Sequence, residues 1–260
     1  MNQIVIRSAK QADAACVARL FCADFAPQVG QFMIYGCKGA TTYIANQITA
    51  GAKVSKSVYY VAQDADRIVA ALELCRGPQM LHLNYIGVEA AQQGKRIGSR
   101  LLCEAIRLSG IGVGKFSLDV FDDNPRAMNW YQHLGLKVQQ SSDIVEVRTV
   151  GKTMDNAAFL ADIPQADLCQ ACFGFSKFTL VTARQSYTIG RIGDDWYRLN
   201  DQNGVDDSDL FRALSVLDPH RRIFLIAPRC SIPEQNIAQW FIQVHRMHAD
   251  IAQVINKLQG

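Results

Sequence analysis

Gln93-Gly94-Lys95-Arg96-Ile97-Gly98-Ser99 sets two adjacent cations and two glycines just ahead of a helical pattern, a combination suited to binding phosphate oxygens. The first backbone N–H groups of a helix have no partner inside it and sit at the positive end of its dipole. Gly94 and Gly98 let an anion approach them closely, so the segment reads as a diphosphate site. Two familiar phosphate motifs are excluded. The spacing is not GxGxxG with an acidic residue about twenty positions on, and GxxxxGK[ST] is absent. Cys169-x-x-Cys172 is half of a zinc site with no second pair at useful spacing, so no metal is expected. The remaining cysteines stand in apolar contexts and read as small core residues.

A strand and a helix must hold this turn. Tyr85-Ile86-Gly87-Val88 ends an apolar strand, and after Ile97 the residues Leu101, Leu102, Ala105, Ile106 and Leu108 recur at helical spacing. Around this pair the pattern predicts a strand at Ile4–Ile6 and a helix bearing Ala14, Val17, Leu20 and Phe21. A helix over 40–50 and strands at 58–61, 68–75 and 81–88 follow. Beyond the motif helix come a strand at 115–120 and a helix capped by Asn124-Pro125 that runs to Leu134 and stops at Gly135. Short strands at 136–140 and 144–149 complete the first half. In the second half, strands are expected at 177–183, 186–192, 196–200 and 222–227, and helices at 206–217 and from Gln235 to about Leu258. Strand, strand, helix, strand, helix repeats the order of 68–134 and hints at a degenerate internal repeat. Asp206, Asp207 and Asp209 at its helix start would repel a diphosphate, so this half should not hold the same ligand. An unrelated α+β cap is the alternative.

Gln93 stands five positions after Val88, and Gly98 closes a segment that resembles the cofactor motif Gln/Arg-x-x-Gly-x-Gly/Ala of the GNAT superfamily of acyl-CoA N-acyltransferases. Arg96 occupies the place of the first motif glycine. Asn124-Pro125-Arg126-Ala127, then Trp130-Tyr131 and Leu134-Gly135-Leu136, is similar to the family segment Asn-x-x-Ala-x-x-x-Tyr-x-x-x-Gly-Phe. The resemblance implies an α/β (α+β) GNAT fold over 1–150, a mixed central sheet flanked by helices. A second, smaller α+β domain is expected over 151–260.

It also implies acetyl-CoA as cosubstrate and an N-acetyltransferase in which a primary amine attacks directly within a ternary complex. Ile86, Gly87 and Val88 would splay from the next strand and bind the pantetheine arm. Residues Gln93 to Ser99 (Gln93, Gly94, Lys95, Arg96, Ile97, Gly98, Ser99) would hold the diphosphate, with the Arg96 cation facing it. Asn124 would cap its helix and touch the arm.

Tyr131 falls where the family keeps a proton donor for the departing thiolate. A phenol of pKa about 10 suits a thiol near 8.5; the alternative is a core aromatic. His82, six before Val88, matches the place of a general base in several relatives, and the alternative is a strand histidine without a role. Strict alternation puts Asn84 on the same cleft-side face as His82. Glu73 is a second choice of base. Phe32, Met33 and Tyr35 fall where relatives build one wall of the acceptor cleft, although loop packing would serve equally. A non-catalytic CoA-binding or regulatory module is the competing reading, prompted by Arg96.

Composition sets the partners. The 260 residues carry a formal charge of +3, too little to argue for nucleic acid or an anionic membrane. Residues 1–150 hold 16 Lys+Arg against 12 Asp+Glu, and the rest 11 against 12, so the basic half carries the anion motif. No apolar run reaches the roughly 18 residues of a membrane span, and no basic-then-apolar leader is evident. The expectation is a cytoplasmic protein with a small-molecule or peptide amine as acceptor; a homodimer remains open.

Overall fold

The computed structural model describes residues 4–23, 25–110, 114–148 and 158–260. In chain order the elements are β1 (Val5–Ser8), α1 (Ala14–Cys22), the single turn α2 (Pro27–Gly30), α3 (Ala40–Ala50), β2 (Ser57–Asp64), β3 (Arg67–Arg76) and β4 (Met80–Val88). Next come α4 (Ile97–Leu108), β5 (Lys115–Phe121), α5 (Pro125–His133), β6 (Lys137–Val147), β7 (Phe159–Ala161), α6 (Ile163–Phe173) and β8 (Phe175–Val181). The chain closes with β9 (Ser186–Ile192), β10 (Trp196–Leu199), α7 (Ser208–Leu217), β11 (Arg222–Ala227), β12 (Ile237–Asp250) and α8 (Ile251–Gln259). Contacts divide the chain into two interleaved units, residues 1–26, 41–140 and 245–260 in one, 27–40 and 141–244 in the other. The boundary expected at 150 lies outside the described residues.

In the first unit β1 to β5 lie side by side in chain order, antiparallel as far as β4, with β4 and β5 parallel. The parallel pair is joined through α4, whose apolar stripe Ile97, Leu101, Leu102, Ala105 and Ile106 is buried against Leu72, Leu81, Leu83 and Phe116. Each of its Leu and Ile side chains contributes about 1.5–3 kcal/mol on burial. On the other sheet face α1 presses on β4: Phe21 stacks on Tyr85 at 5.4 Å between ring centroids. A Cβ on Gly87 would stand 2.5 Å from the Leu20 carbonyl oxygen, so only glycine permits this approach.

Two irregularities in β4 shape the site. Its pairing with β3 jumps from Glu73↔Tyr85 to Leu74↔Leu83, which leaves Asn84 as the extra residue of a bulge. Leu81 and Leu83 before it, and Ile86 and Val88 after it, therefore face the same core despite their change of parity. Pairing with β5 covers only Met80–Leu83 against Lys115–Leu118. Among the described residues no strand pairs with the β5-facing edge of β4 beyond Leu83.

The second unit repeats the central pattern. β10, α7 and β11 form a parallel crossover like β4, α4 and β5, followed outward from β10 by antiparallel β9, β8 and β7. Its core gathers Phe178, Leu180, Ile189, Tyr197, Leu210, Leu214 and Leu225. Residues 27–40 belong here, and Phe32 packs 5.0 Å from the Trp196 ring and 4.8 Å from those of Phe224 and Phe241.

Two expectations about elements are corrected. Residues 235–258 are not one helix: β12 runs to Asp250 before α8 begins. Met247 and Ala249 enter the first unit's core while Arg246 turns to Asp119, an alternation of period two. The β-rich run Ile237, Trp240, Phe241, Ile242 and Val244 supports the strand. The two short strands at 136–140 and 144–149 are one, β6, because Ser141-Ser142 makes no turn; Thr149 lies outside the described residues.

Candidate active site

A cavity of about 420 Å³ opens where β4 loses β5 and α4 begins. That is within the usual range for small-molecule sites. Gly94 at φ 81 and Arg96 at φ 60 turn the chain through left-handed conformations into α4. Among the described residues no side chain caps this helix, and its first internal bond is Arg100 N–H to the Arg96 carbonyl. The N–H groups of Ile97, Gly98 and Ser99 thus have no intrahelical acceptor and face the positive end of the dipole. Gly98 stands between Val88, Ile86 and Trp130, each 3.5–3.9 Å from where a Cβ would lie. The cavity is therefore lined at one end by helix-start amides and at the other by the open edge of β4.

α5 supplies the opposite wall. Asn124 caps it by accepting from the Ala127 N–H at 3.0 Å, which leaves Ala127, Trp130 and Tyr131 turned to the cavity. Tyr131 is only 6 % exposed and forms part of the floor; the Trp130 ring lies 5.0 Å from it. Of the expected ligand residues, Ile86, Val88, Gln93, Gly94, Arg96, Ile97, Gly98, Ser99, Asn124 and Tyr131 all line this space. Gly87 and Lys95 do not: Gly87 presses on α1, and Lys95 donates to the Gln92 side chain at 2.9 Å. Gln92, Arg126, Ala127 and Trp130 line it without having been singled out; the place of Gln92 beside Gln93, and of the others between the motif residues Asn124 and Tyr131, was the available signal.

Residues 35–136 match the model of the acetyltransferase (GNAT) family. This span contains both motifs, and the GNAT fold extends well past it. A tandem GNAT protein from the clavulanic acid biosynthesis pathway shares 10% identity over 95% of this chain and 98% of its own, with a TM-score of 0.64. A GCN5-related N-acetyltransferase from Sphaerobacter thermophilus shares 11% over 95% and 96%, with a TM-score of 0.60. None of the curated proteins searched matches the sequence. The GNAT fold of the second half, hinted at by its element order, is thus matched by whole-chain neighbours.

The cavity lining does not include His82 or Asn84. The bulge redirects Asn84, whose side-chain N–H donates to Glu73 at 2.8 Å. Glu73 is buried and also accepts from the Tyr59 hydroxyl at 3.1 Å. His82 Nδ1 lies 2.9 Å from the buried Ser117 hydroxyl, and its Nε2 is 4.0 Å from Asp119, which Arg246 clamps through two bonds. Burial lowers the pKa of His82, with Arg246 and His248 adding to the effect against the pull of Asp119. Phe32 and Tyr35 are buried and Met33 half-buried in the second unit, where Phe32 is core packing among three aromatic rings. Glu89, just past the end of β4, binds Arg67 at 2.6 Å and Arg19 at 3.2 Å.

In the second unit the corresponding helix start is closed by its own residue. Asp207 caps α7, accepting from the Asp209 and Leu210 N–H groups at 3.1 and 3.3 Å. The Thr182 and Tyr187 hydroxyls donate to its other oxygen at 2.7 and 2.9 Å. A buried carboxylate holds the donors that α4 leaves open. Among the described residues no group of three or more His, Cys, Asp or Glu could hold a metal, and no helix is long and apolar enough to cross a membrane.

Proposed function

We propose that the first unit binds acetyl-CoA in the α4–β4–α5 cavity and transfers its acetyl group to a primary amine by direct attack. The observation that carries this reading is the uncapped start of α4, opening into a cavity whose floor is Tyr131. The residues fit such a ligand: amides of 97–99 for the diphosphate, the open edge of β4 for the pantetheine amides, and, among the described residues, no lining carboxylate to repel it. When bound, acetyl-CoA supplies a thioester whose carbonyl is open to an amine. Asn124 holds the start of α5 and so fixes the phenol of Tyr131, the group suited to give a proton to the departing sulfur. The open β4 edge orients the acyl arm, which lowers the entropic part of the barrier. His82, neutral at neutral pH because burial disfavours its charge, is the assigned base. It lies outside the cavity lining, so its action on the amine is through water. Among the described residues no cysteine lines the cavity, which favours direct attack over an acyl-enzyme.

The test is thiol release from acetyl-CoA in the presence of a panel of primary amines. Amine-dependent release is expected, reduced about a hundredfold or more by Tyr131→Phe at nearly unchanged melting temperature. Tight binding of acetyl-CoA with no release across the panel would favour the non-catalytic module. Turnover unchanged by Tyr131→Phe would remove the proton donor.

A further inference from the structure

Building on the acetyl-CoA reading, we propose that Arg126 recognises a second phosphate on the nucleotide end of the ligand, separate from the diphosphate held by α4. Arg96 and Arg126 line the same cavity, one just before α4 and one in the first turn of α5. Among the described residues no carboxylate lines the cavity to neutralise them. Exposure orders the lining: Gln93, Gly94, Arg96 and Arg126 are exposed and form the mouth, whereas Ile97 and Tyr131 are buried at the floor. An acyl group beside Tyr131 therefore leaves the nucleotide at the mouth. A diphosphate that already receives the free amides of residues 97–99 and faces Arg96 has little need of a further cation. A ribose phosphate would have that need.

Arg126 is also held in place. Its Nη1 donates to Gln93 Oε1 at 2.6 Å, and Gln93 Nε2 donates to the Val88 carbonyl on the open edge of β4 at 3.1 Å. Gln93 is thus a strap across the mouth, a positioning residue that points the guanidinium while leaving its other N–H groups available. A planar guanidinium is well matched to a phosphate.

The experiment is calorimetric titration of wild type, Arg126→Ala and Arg126→Lys with CoA and with 3′-dephospho-CoA at low ionic strength. Wild type should bind CoA roughly three- to tenfold more tightly than the dephospho form. Arg126→Ala should bring that ratio close to one by weakening CoA alone. Arg126→Lys, which keeps the charge without the fork, should give an intermediate ratio and serves if the alanine variant folds poorly. An unchanged ratio in the variants, an equal weakening of both ligands, or no preference in wild type overturns the assignment. Binding of neither ligand by wild type overturns the acetyl-CoA reading itself, an outcome distinct from the other three.

Discussion

Arg96→Gly separates two effects of one residue, and they should move in opposite directions. Arg96 is the residue before α4 and has φ 60 and ψ 14, in the left-handed region. A residue with a Cβ is disfavoured there by about 1–2 kcal/mol. Glycine removes that strain but restores about 0.5–1 kcal/mol of freedom to the unfolded chain. The net gain is about 0.5–1 kcal/mol, a rise in melting temperature of about 1–3 °C for a chain of this size. The same change deletes a cation from the cavity wall. An exposed charge–phosphate contact of about 0.5–1 kcal/mol corresponds to a loss of roughly two- to fivefold in acetyl-CoA affinity. The loss should shrink as salt is raised, because the contact is at the mouth. Differential scanning calorimetry and titration at two salt concentrations read both quantities. A variant that binds acetyl-CoA more tightly would refute the cationic role, and one that melts lower would refute the strain.

The other predictions concern the second unit, the β4–α1 contact and pH. Asp207→Ala removes the α7 cap and leaves the buried Thr182 and Tyr187 hydroxyls without their acceptor, so chemical denaturation should show a loss of about 3–5 kcal/mol; a loss below about 1 kcal/mol would contradict the network described. Gly87→Ala should destabilise by about 1–3 kcal/mol, since its methyl would meet the Leu20 backbone rather than a movable side chain; wild-type stability would mean that α1 is free to retreat. Burial lowers the His82 pKa below the ordinary 6.5 in the folded protein, so the unfolded chain takes up its proton first. Stability is then full above about pH 6.5 and falls as pH drops from the unfolded value towards the folded one, a slope that His82→Asn should flatten in melting curves taken between pH 5 and 8.

The parts of the site fixed by local pattern were legible in the sequence. The α4 stripe, the Asn124-Pro125 start and the Gly135 stop each rest on residues a few positions apart, and the structure places them where the pattern puts them. The bulge at Asn84 was not legible, because a period-two reading has no means of inserting an extra residue. That is why Asn84 turns to Glu73 and not to the cavity. The helix α6 left no apolar stripe to read: Ala166 is buried while Leu168 is 70 % exposed. β12 was hidden by its apolar residues, which also satisfy helical spacing until the sheet partners are known. The packing of Phe32 was hidden for a related reason, since its partners Trp196, Phe224 and Phe241 lie more than 160 positions away.

The stoichiometry of acetyl-CoA binding addresses the main claim most directly, because it rests on an open α4 and an Asp207-filled α7 in one chain. Calorimetric titration of the purified protein should give one acetyl-CoA per chain. A result of two, or of none, would contradict the account.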